Sequence, residues 1–310
     1  MKAPSDVGDV LVIKLSALGD FVQALGPMKA IREHHKDQRL VLLTTQPFVD
    51  LARATNWFDD VWVDTRPGIL DLLGWLTLRR KFSNAGFFRV YDLQTSARSS
   101  LYYHLLFTRK PDWSGVAYGC SHPHDNPRRD YMHTLDRQRE QLEAAGVPAI
   151  AQQTFEWVVA DVSRFGLGQR YGLLVPGGAA HRPEKRWPAA HFGEIAALMW
   201  AQGIQPVIVG SPDEEPLAAE IKEKCPQAVS LIGRTSLLEL ATLAQGAALA
   251  LGNDTGPMHM AAAAGCRSAV LFSSASDPDL CAPRGPLVSI LRRENLADLQ
   301  SLEVAKALGL

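Results

Sequence analysis

The side chains best able to do chemistry in this chain sit in two short turns, one near each end. In the later one, Ala250-Leu-Gly-Asn-Asp-Thr-Gly-Pro-Met-His-Met-Ala-Ala-Ala-Ala-Gly265, an apolar run ends at Gly252, a polar turn follows and an Ala-rich helix begins. Asp254 or Thr255 is a natural N-cap, and Pro257 falls where a first helical turn tolerates a missing N–H. The first amides of a helix lack intrahelical partners and coincide with the positive end of its dipole, so they bind anions, phosphates above all. Thr255 stands at its mouth and His259 lies one turn in, so both can reach one ligand. An ordinary strand–helix connection with a capped helix has the same pattern.

The earlier turn, Val10-Leu-Val-Ile-Lys-Leu-Ser-Ala-Leu-Gly-Asp20, is again strand, small-residue turn and helix start. Phe21, Leu25, Met28 and Ile31 follow at helical spacing, which puts Asp20 at or near a helix N-terminus. There it is either an N-cap, worth about 1 kcal/mol, or a carboxylate presented to a ligand. One such elbow early and another late points to two nucleotide-fold domains facing each other.

Two further segments carry charge at strand ends. Gly177-Gly-Ala-Ala-His-Arg-Pro-Glu-Lys-Arg-Trp-Pro188 is a basic loop holding Arg182, Lys185 and Arg186, and it reads equally as a solvated loop. Gly210-Ser-Pro-Asp-Glu-Glu215 closes a strand and opens a helix, where acidic residues favour the dipole whatever else they do. Cys120-Ser-His-Pro-His124 contains three ligating side chains, but no fourth ligand at a convincing spacing, so acceptor-loop or surface residues are the better reading.

The elements that must position these residues follow from short apolar runs alternating with helical patterns, the signature of βαβ units and parallel sheets. The first half reads as strands at Val10–Leu15, Arg39–Thr44, Val61–Val63 and Val90–Leu93. Helices are expected at Asp20–His35, Phe48–Ala54, Ile69–Ser83, Ala97–Thr108 and His133–Ala145, with an irregular loop over Lys110–Tyr131. Ala149–Gly168 reads as a linker. The second half reads as strands at Gly172–Val175, Pro206–Val209, Val229–Leu231 and Ser268–Phe272, besides the one entering the late elbow. Its helices are Ala189–Gln202, Glu214–Lys224 and Leu237–Gln245, with a closing helix at Asn295–Leu308. The expected domains are 1–157, 158–294 and a C-terminal helix over 295–310 that folds back on the first.

With 310 residues and 46% apolar content, the chain can bury two cores. A net charge of −1 argues against nucleic acid as a partner. Four scattered cysteines fit reduced thiols in the cytoplasm. The first residues, Met-Lys-Ala-Pro-Ser-Asp, carry no apolar signal segment, and no run of about 18 apolar residues predicts a membrane span.

Ser16-Ala-Leu-Gly-Asp20, Asp92-Leu-Gln94, Lys185-Arg-Trp-Pro188 and Gly252-Asn-Asp-Thr-Gly-Pro-Met-His259, in that order and spacing, resemble the family 9 glycosyltransferases, the ADP-heptose:lipopolysaccharide heptosyltransferases. The likeness runs from Val10 to about Leu291. It implies a GT-B fold, two Rossmann-like parallel-sheet domains facing a central cleft, and inverting sugar transfer with no metal or other cofactor. It makes Asp20 the base that takes the acceptor proton, with Lys185 on the donor phosphates. A helix N-terminus stabilises an ionised carboxylate and so weakens it as a base, which a concerted attack with late proton transfer reconciles. Donor contacts are implied for Gly178, Glu214 (or Glu215, on the ribose), Asp254, Thr255, Gly256 and His259, and acceptor contacts for Ser16, Gln94 and Arg98. The sequence departs from the family pattern at Ala179 and Ala180, where hydroxyl residues are common, and at Thr95, which replaces a glycine.

The implied partners are ADP-heptose and a lipopolysaccharide-type glycolipid. A transferase using another nucleotide sugar, a nucleotide-sugar epimerase of the same fold and a non-catalytic nucleotide-sugar binder are the alternatives. Between Arg66 and Lys110 eight basic residues face two acidic ones, Asp71 and Asp92. The amphipathic stretch Ile69–Phe82 within it is either a packed helix with a basic tip or a helix resting on the inner face of the cytoplasmic membrane.

Overall fold

The computed structural model describes residues 8–68, 70–107, 109–148, 154–178 and 182–310. The chain divides into two compact units, Met1–Gln153 and Thr154–Leu310. In the first, β1 (Asp9–Ile13), α1 (Leu18–His34), β2 (Leu40–Thr44), α2 (Val49–Ala54), β3 (Asp60–Val63) and α3 (Leu72–Ala85) come in order. Then follow β4 (Phe87–Asp92), α4 (Ala97–Leu105), β5 (Asp112–Gly115), β6 (His122–Pro123) and α5 (Thr134–Ala144). The second contains β7 (Tyr171–Val175), α6 (Ala189–Ala201), β8 (Gln205–Ile208), α7 (Glu215–Lys224), β9 (Val229–Ser230) and α8 (Leu237–Gly246). It continues with β10 (Leu249–Asn253), α9 (Gly256–Ala263), β11 (Ser268–Phe272), α10 (Pro278–Cys281), β12 (Val288–Arg292) and α11 (Ser301–Leu308).

Each unit is built on a six-stranded sheet, ordered β3-β2-β1-β4-β5-β6 in one and β12-β11-β10-β7-β8-β9 in the other. Every strand pair is parallel. Counted from its own first strand, each sheet has the order 3-2-1-4-5-6 of a dinucleotide-binding fold. Central strands covered on both faces must be apolar throughout, which is why Val10-Leu-Val-Ile13 and Leu249-Ala-Leu251 read as unbroken runs and are buried.

That order fixes where a ligand can sit. Chain paths diverge on leaving two adjacent strands, and the crevice beyond their carboxyl ends is left open. In the first unit those strands are β1 and β4, so the crevice is edged by residues after Ile13 and Asp92. In the second they are β10 and β7, edged by residues after Asn253 and Val175. All four chemistry-bearing turns follow these strands or lie one strand away.

Three readings of the sequence need correction. The segment Lys110–Tyr131 is not irregular throughout, since it contains β5 and β6. β5 carries one large apolar residue, the fully buried Trp113, and so offers no alternation to detect. β12 lies beyond Ser268–Phe272; its residues are mostly half-buried at the sheet edge. The closing helix is shorter than expected, and its apolar face (Val304, Ala305, Leu308) joins the core of its own unit with Phe192 and Leu271. The expected linker residues 149–153, the departing Ala179 and Ala180, and Ile69 fall outside the described residues.

His35, just past α1, gives the first unit a built-in acid sensitivity. It is 6% exposed and its Nε2 meets the Tyr91 hydroxyl at 2.8 Å. Burial, aided by neighbouring His34, Arg89 and Arg32, pushes its imidazole down to about 4. The unfolded chain protonates near pH 6.5, so stability is complete above that pH and is lost as pH falls towards 4, by about 3 kcal/mol. Denaturant unfolding of His35→Gln should therefore show a shallower loss between pH 7.5 and 4.5 than wild type. Identical slopes would show that His35 does not carry the effect.

Candidate functional site

At the crevice of the first unit, Asp20 is the third residue of α1, half-buried, and its Oδ2 accepts the Ala17 N–H at 3.2 Å. The N-cap is Ala17 and not Asp20, so the carboxylate closes the first turn from the N3 position by reaching back to the N-cap amide. The loop before it is pinned from several strands. Gln94 Oε1 accepts the amides of Leu15 (2.8 Å) and Ser16 (3.1 Å), while Thr45 Oγ1 and Arg66 Nη2 donate to the Leu15 carbonyl at 2.8 and 3.2 Å. Gln94, expected at the acceptor, thus uses its carbonyl to fix the loop that carries Asp20. Arg98, in the first turn of α4, turns its guanidinium to the Pro67 carbonyl and the Tyr102 hydroxyl, both at 3.4 Å.

Beneath this loop lie two charged groups that sequence reasoning passed over as functional. Lys14 is 4% exposed and donates to the Leu93 carbonyl at 3.2 Å. Burial lowers its ammonium pKa, against the opposing pull of Asp20 and Asp92. Asp92 is fully buried; its Oδ1 accepts the Gln94 and Thr95 amides at 3.1 and 2.9 Å, and burial pushes its carboxyl up to about 6. The available signal was a lysine interrupting the apolar run of a central strand. Thr95 has φ +44°, the left-handed region where a β-branched side chain is strained by about 1–2 kcal/mol. That backbone explains why glycine suits this place. Here Thr95 gains a bond glycine lacks, since its Oγ1 accepts Arg129 Nη2 at 2.8 Å.

The crevice of the second unit collects most of the expected donor residues. Lys185 Nζ lies 2.7 Å from Asp254 Oδ2, and His259 Nε2 lies 4.0 Å from Asp254 Oδ1. All three side chains are about nine-tenths buried, with 12%, 9% and 8% exposed. Thr255 is the N-cap of α9, yet its hydroxyl donates to the Asn253 carbonyl at 3.3 Å and no side chain caps the helix. Gly252 lets this helix close on the sheet, because a Cβ there would meet Val175 Cβ at 2.6 Å and Met258 Sδ at 2.7 Å.

Glu214 sits on the opposite side of β7, in the turn before α7. Its Oε1 accepts the Gly178 amide at 3.1 Å and its Oε2 the Ser211 amide at 2.9 Å. The carboxylate lies in a hollow formed by two glycines: Cβ atoms at Gly177 and Gly210 would fall 1.9 and 2.2 Å from its oxygens. Arg186 Nη2 donates to the Gly178 carbonyl at 2.6 Å, so this basic residue orders the loop as well as charging it.

Asn253 is the missed organiser. Fully buried at the end of β10, it donates through Nδ2 to the Pro176 and Gly177 carbonyls (2.8 and 3.0 Å) and accepts the Trp187 amide at 3.0 Å. One side chain thereby ties the glycine turn, the Lys185 loop and the α9 elbow together.

The Cys120–His124 segment points elsewhere. Cys120 Sγ contacts the Gly115 carbonyl at 3.8 Å, and His124 Nδ1 accepts Arg129 Nε at 3.1 Å. Among the described residues no group of three or more His, Cys, Asp or Glu is placed to hold a metal.

A lipooligosaccharide heptosyltransferase 2 from Haemophilus influenzae is 31% identical over 131 residues, covering 41% of this chain and 38% of that protein. Curated heptosyltransferase relatives of this kind are matched over 38%, 42% and 34% of their own lengths. Among solved structures, a family 9 glycosyltransferase from Veillonella parvula superposes with a TM-score of 0.85 at 19% identity, covering 99% of this chain and 97% of that one. The E. coli heptosyltransferase WaaC with ADP gives 0.78 at 19% identity, covering 97% and 99%. These likenesses establish the two-domain fold expected from the sequence motifs. The model of glycosyltransferase family 9 (heptosyltransferase) matches residues 75–308, three quarters of the chain, and the protein belongs to that family.

Proposed function

We propose that this protein is an inverting, metal-independent glycosyltransferase that moves a heptose from ADP-heptose to an inner-core sugar of a lipopolysaccharide-type glycolipid. The observation that carries the reading is the second unit's crevice, where Lys185 meets a helix start that no side chain caps, beside a carboxylate seated on glycines. A diphosphate fits the first pair, because amide donors and a cation stabilise its charge as it departs. Paired ribose hydroxyls fit the second, since a carboxylate offers acceptors only. The heptosyltransferase relatives and the ADP in the WaaC structure support heptose and adenine as the donor's parts.

In the reaction the acceptor oxygen bonds to the anomeric carbon as the bond from that carbon to the β-phosphate oxygen breaks. Asp20 takes the hydroxyl proton, ADP leaves with the bonding electrons, and the anomeric configuration inverts. Ser16 lies beside the acceptor and Arg98 supplies charge near it, on the first unit. Gly178, Asp254, Thr255, Gly256 and His259 line the donor site with Lys185 and Glu214. The work takes place in the cytoplasm, at the inner face of the membrane that carries the acceptor. Among the described residues no helix is long and apolar enough to cross a membrane.

A thermal-shift screen tests the donor. ADP and ADP-heptose at about 100 times their Kd should stabilise the fold by about 2.7 kcal/mol, with uridine counterparts inert at the same concentration. Stabilisation by uridine diphosphate sugars alone would overturn the assignment. The ribose carboxylate has its own test in Gly177→Ala. The added methyl displaces a flexible carboxylate rather than backbone, so the fold should survive. Donor affinity should fall about 10–100-fold, the range for lost hydrogen bonds to a charged group, as in Glu214→Ala. Wild-type affinity in calorimetry would remove Glu214 from the site.

A further inference from the structure

The outer faces of α3 and α4 carry more apolar surface than the fold uses. α3 already buries Leu78 and Phe82 in the core, with Trp75 packed beside them. Leu72, Leu73 and Leu76 nevertheless point outward, 72%, 78% and 57% exposed, and Leu70 just before the helix is 93% exposed. On α4, Leu101 and Leu105 are exposed too, one turn apart. Leu72, Trp75 and Leu76 line one wall of a groove of about 460 Å³, and Leu101 and Leu105 line the other, with Arg79 contributing charge. Soluble proteins rarely leave a contiguous patch of this kind without a partner.

The charge around the patch says which partner. Arg79, Arg80 and Lys81 in the second half of α3 and Arg109 and Lys110 beyond α4 are all exposed. Lys81 and Lys110 lie over the rings of Trp62 and Tyr103, each 4.2 Å from the centroid. Asp71, an acid at the patch, is engaged in capping α3, its Oδ1 accepting the Gly74 amide at 2.8 Å, and Asp60 lies within electrostatic reach of Lys81. Leucines with a tryptophan, edged by arginine and lysine, match the interface of an anionic bilayer, where apolar side chains enter the acyl boundary and cations meet phosphates.

We propose that this face docks the protein on an anionic phospholipid surface, with Leu70, Leu72, Leu73 and Leu76 inserted and the groove between α3 and α4 taking acyl chains. The inference rests on the acceptor being a glycolipid, whose sugar must reach the catalytic crevice while its chains stay in the bilayer. The fold meets that demand within the first unit. α4 starts three residues after Gln94, and at 1.5 Å per residue Leu101 and Leu105 lie about 6 and 12 Å along it.

Flotation with vesicles tests the docking apart from the chemistry. The full-length protein should float with vesicles of phosphatidylethanolamine and phosphatidylglycerol, and far less with phosphatidylcholine alone. The triple variant Leu70→Ser, Leu73→Ser, Leu76→Ser changes no charge and touches no core residue. It should bind anionic vesicles about tenfold more weakly or worse, with an unchanged melting temperature and unchanged transfer to a short, lipid-free acceptor oligosaccharide. Equal flotation of variant and wild type, or none by wild type, overturns the docking face. So does a concentration-dependent dimer in light scattering that the triple variant abolishes, which would assign the face to a second copy. Absence of transfer to any heptose acceptor, with flotation intact and lost in the variant, overturns the proposed function and leaves the docking surface standing.

Discussion

Replacing Asp20 by Asn should lower kcat by about 10²–10⁴, the size of a lost general base, while donor affinity and melting temperature stay near wild type. The structure separates these readouts. Asn keeps an oxygen to accept the Ala17 N–H and has nearly the same shape, so the first turn of α1 stays closed. The loop before Asp20 is held by Gln94, Thr45 and Arg66, none of which touches the carboxylate through the bonds that pin it. What the substitution removes is the capacity to take a proton. The nucleotide contacts proposed here belong to the second unit, so ADP should bind the variant in calorimetry as it binds wild type. Activity should also persist in EDTA, because in the proposed mechanism Lys185 and helix amides take the part of a divalent cation. A fully active Asp20→Asn protein, or activity abolished by EDTA and restored by Mg²⁺, would overturn this mechanism without disturbing the family assignment.

The two elbows were legible because each is a local pattern. An apolar run, small residues and a helical spacing identify strand, turn and helix without knowledge of the rest of the chain. What the sequence does not display is the set of contacts between distant segments. Gln94 reads as a polar residue after a strand, free to meet a substrate; only the pairing of β1 with β4 brings it under the amides of Leu15 and Ser16. Asn253 reads as one residue of a turn motif, and its three bonds to Pro176, Gly177 and Trp187 span about 70 positions. Glu214 was placed correctly at a helix start, but its seat on Gly177 and Gly210 depends on β7 and β8 being neighbours. Weak elements such as β5 and β6 form because a paired sheet edge is available, and not from their own propensity.

Lys185→Ala should weaken ADP and donor binding about 100-fold or more, and a second substitution should recover part of that loss. The lysine is held in place before any ligand arrives. Its loop is anchored by Trp187, which is 1% exposed, gives its amide to Asn253 Oδ1 at 3.0 Å and its indole N–H to the Leu299 carbonyl at 3.0 Å. Deleting the Lys185 ammonium leaves that scaffold intact but strands Asp254, a carboxylate 9% exposed and deprived of its partner at 2.7 Å. Breaking such a pair costs about 3–5 kcal/mol because the remaining charge is uncompensated. An incoming diphosphate would then meet a negative group where a positive one had stood. Asp254→Asn on its own should bind ADP at least as tightly as wild type, since the lysine is released from its carboxylate. The double variant Lys185→Ala, Asp254→Asn should bind about tenfold better than Lys185→Ala alone, because the repulsive charge is gone while the attractive one is still missing. Calorimetry on the four proteins closes the cycle, with melting temperatures to show that each is folded. If the double variant binds no better than Lys185→Ala, the carboxylate does not face the diphosphate. If Lys185→Ala binds like wild type, the cation that stabilises the leaving group lies elsewhere, with Arg182 and Arg186 next in the same loop.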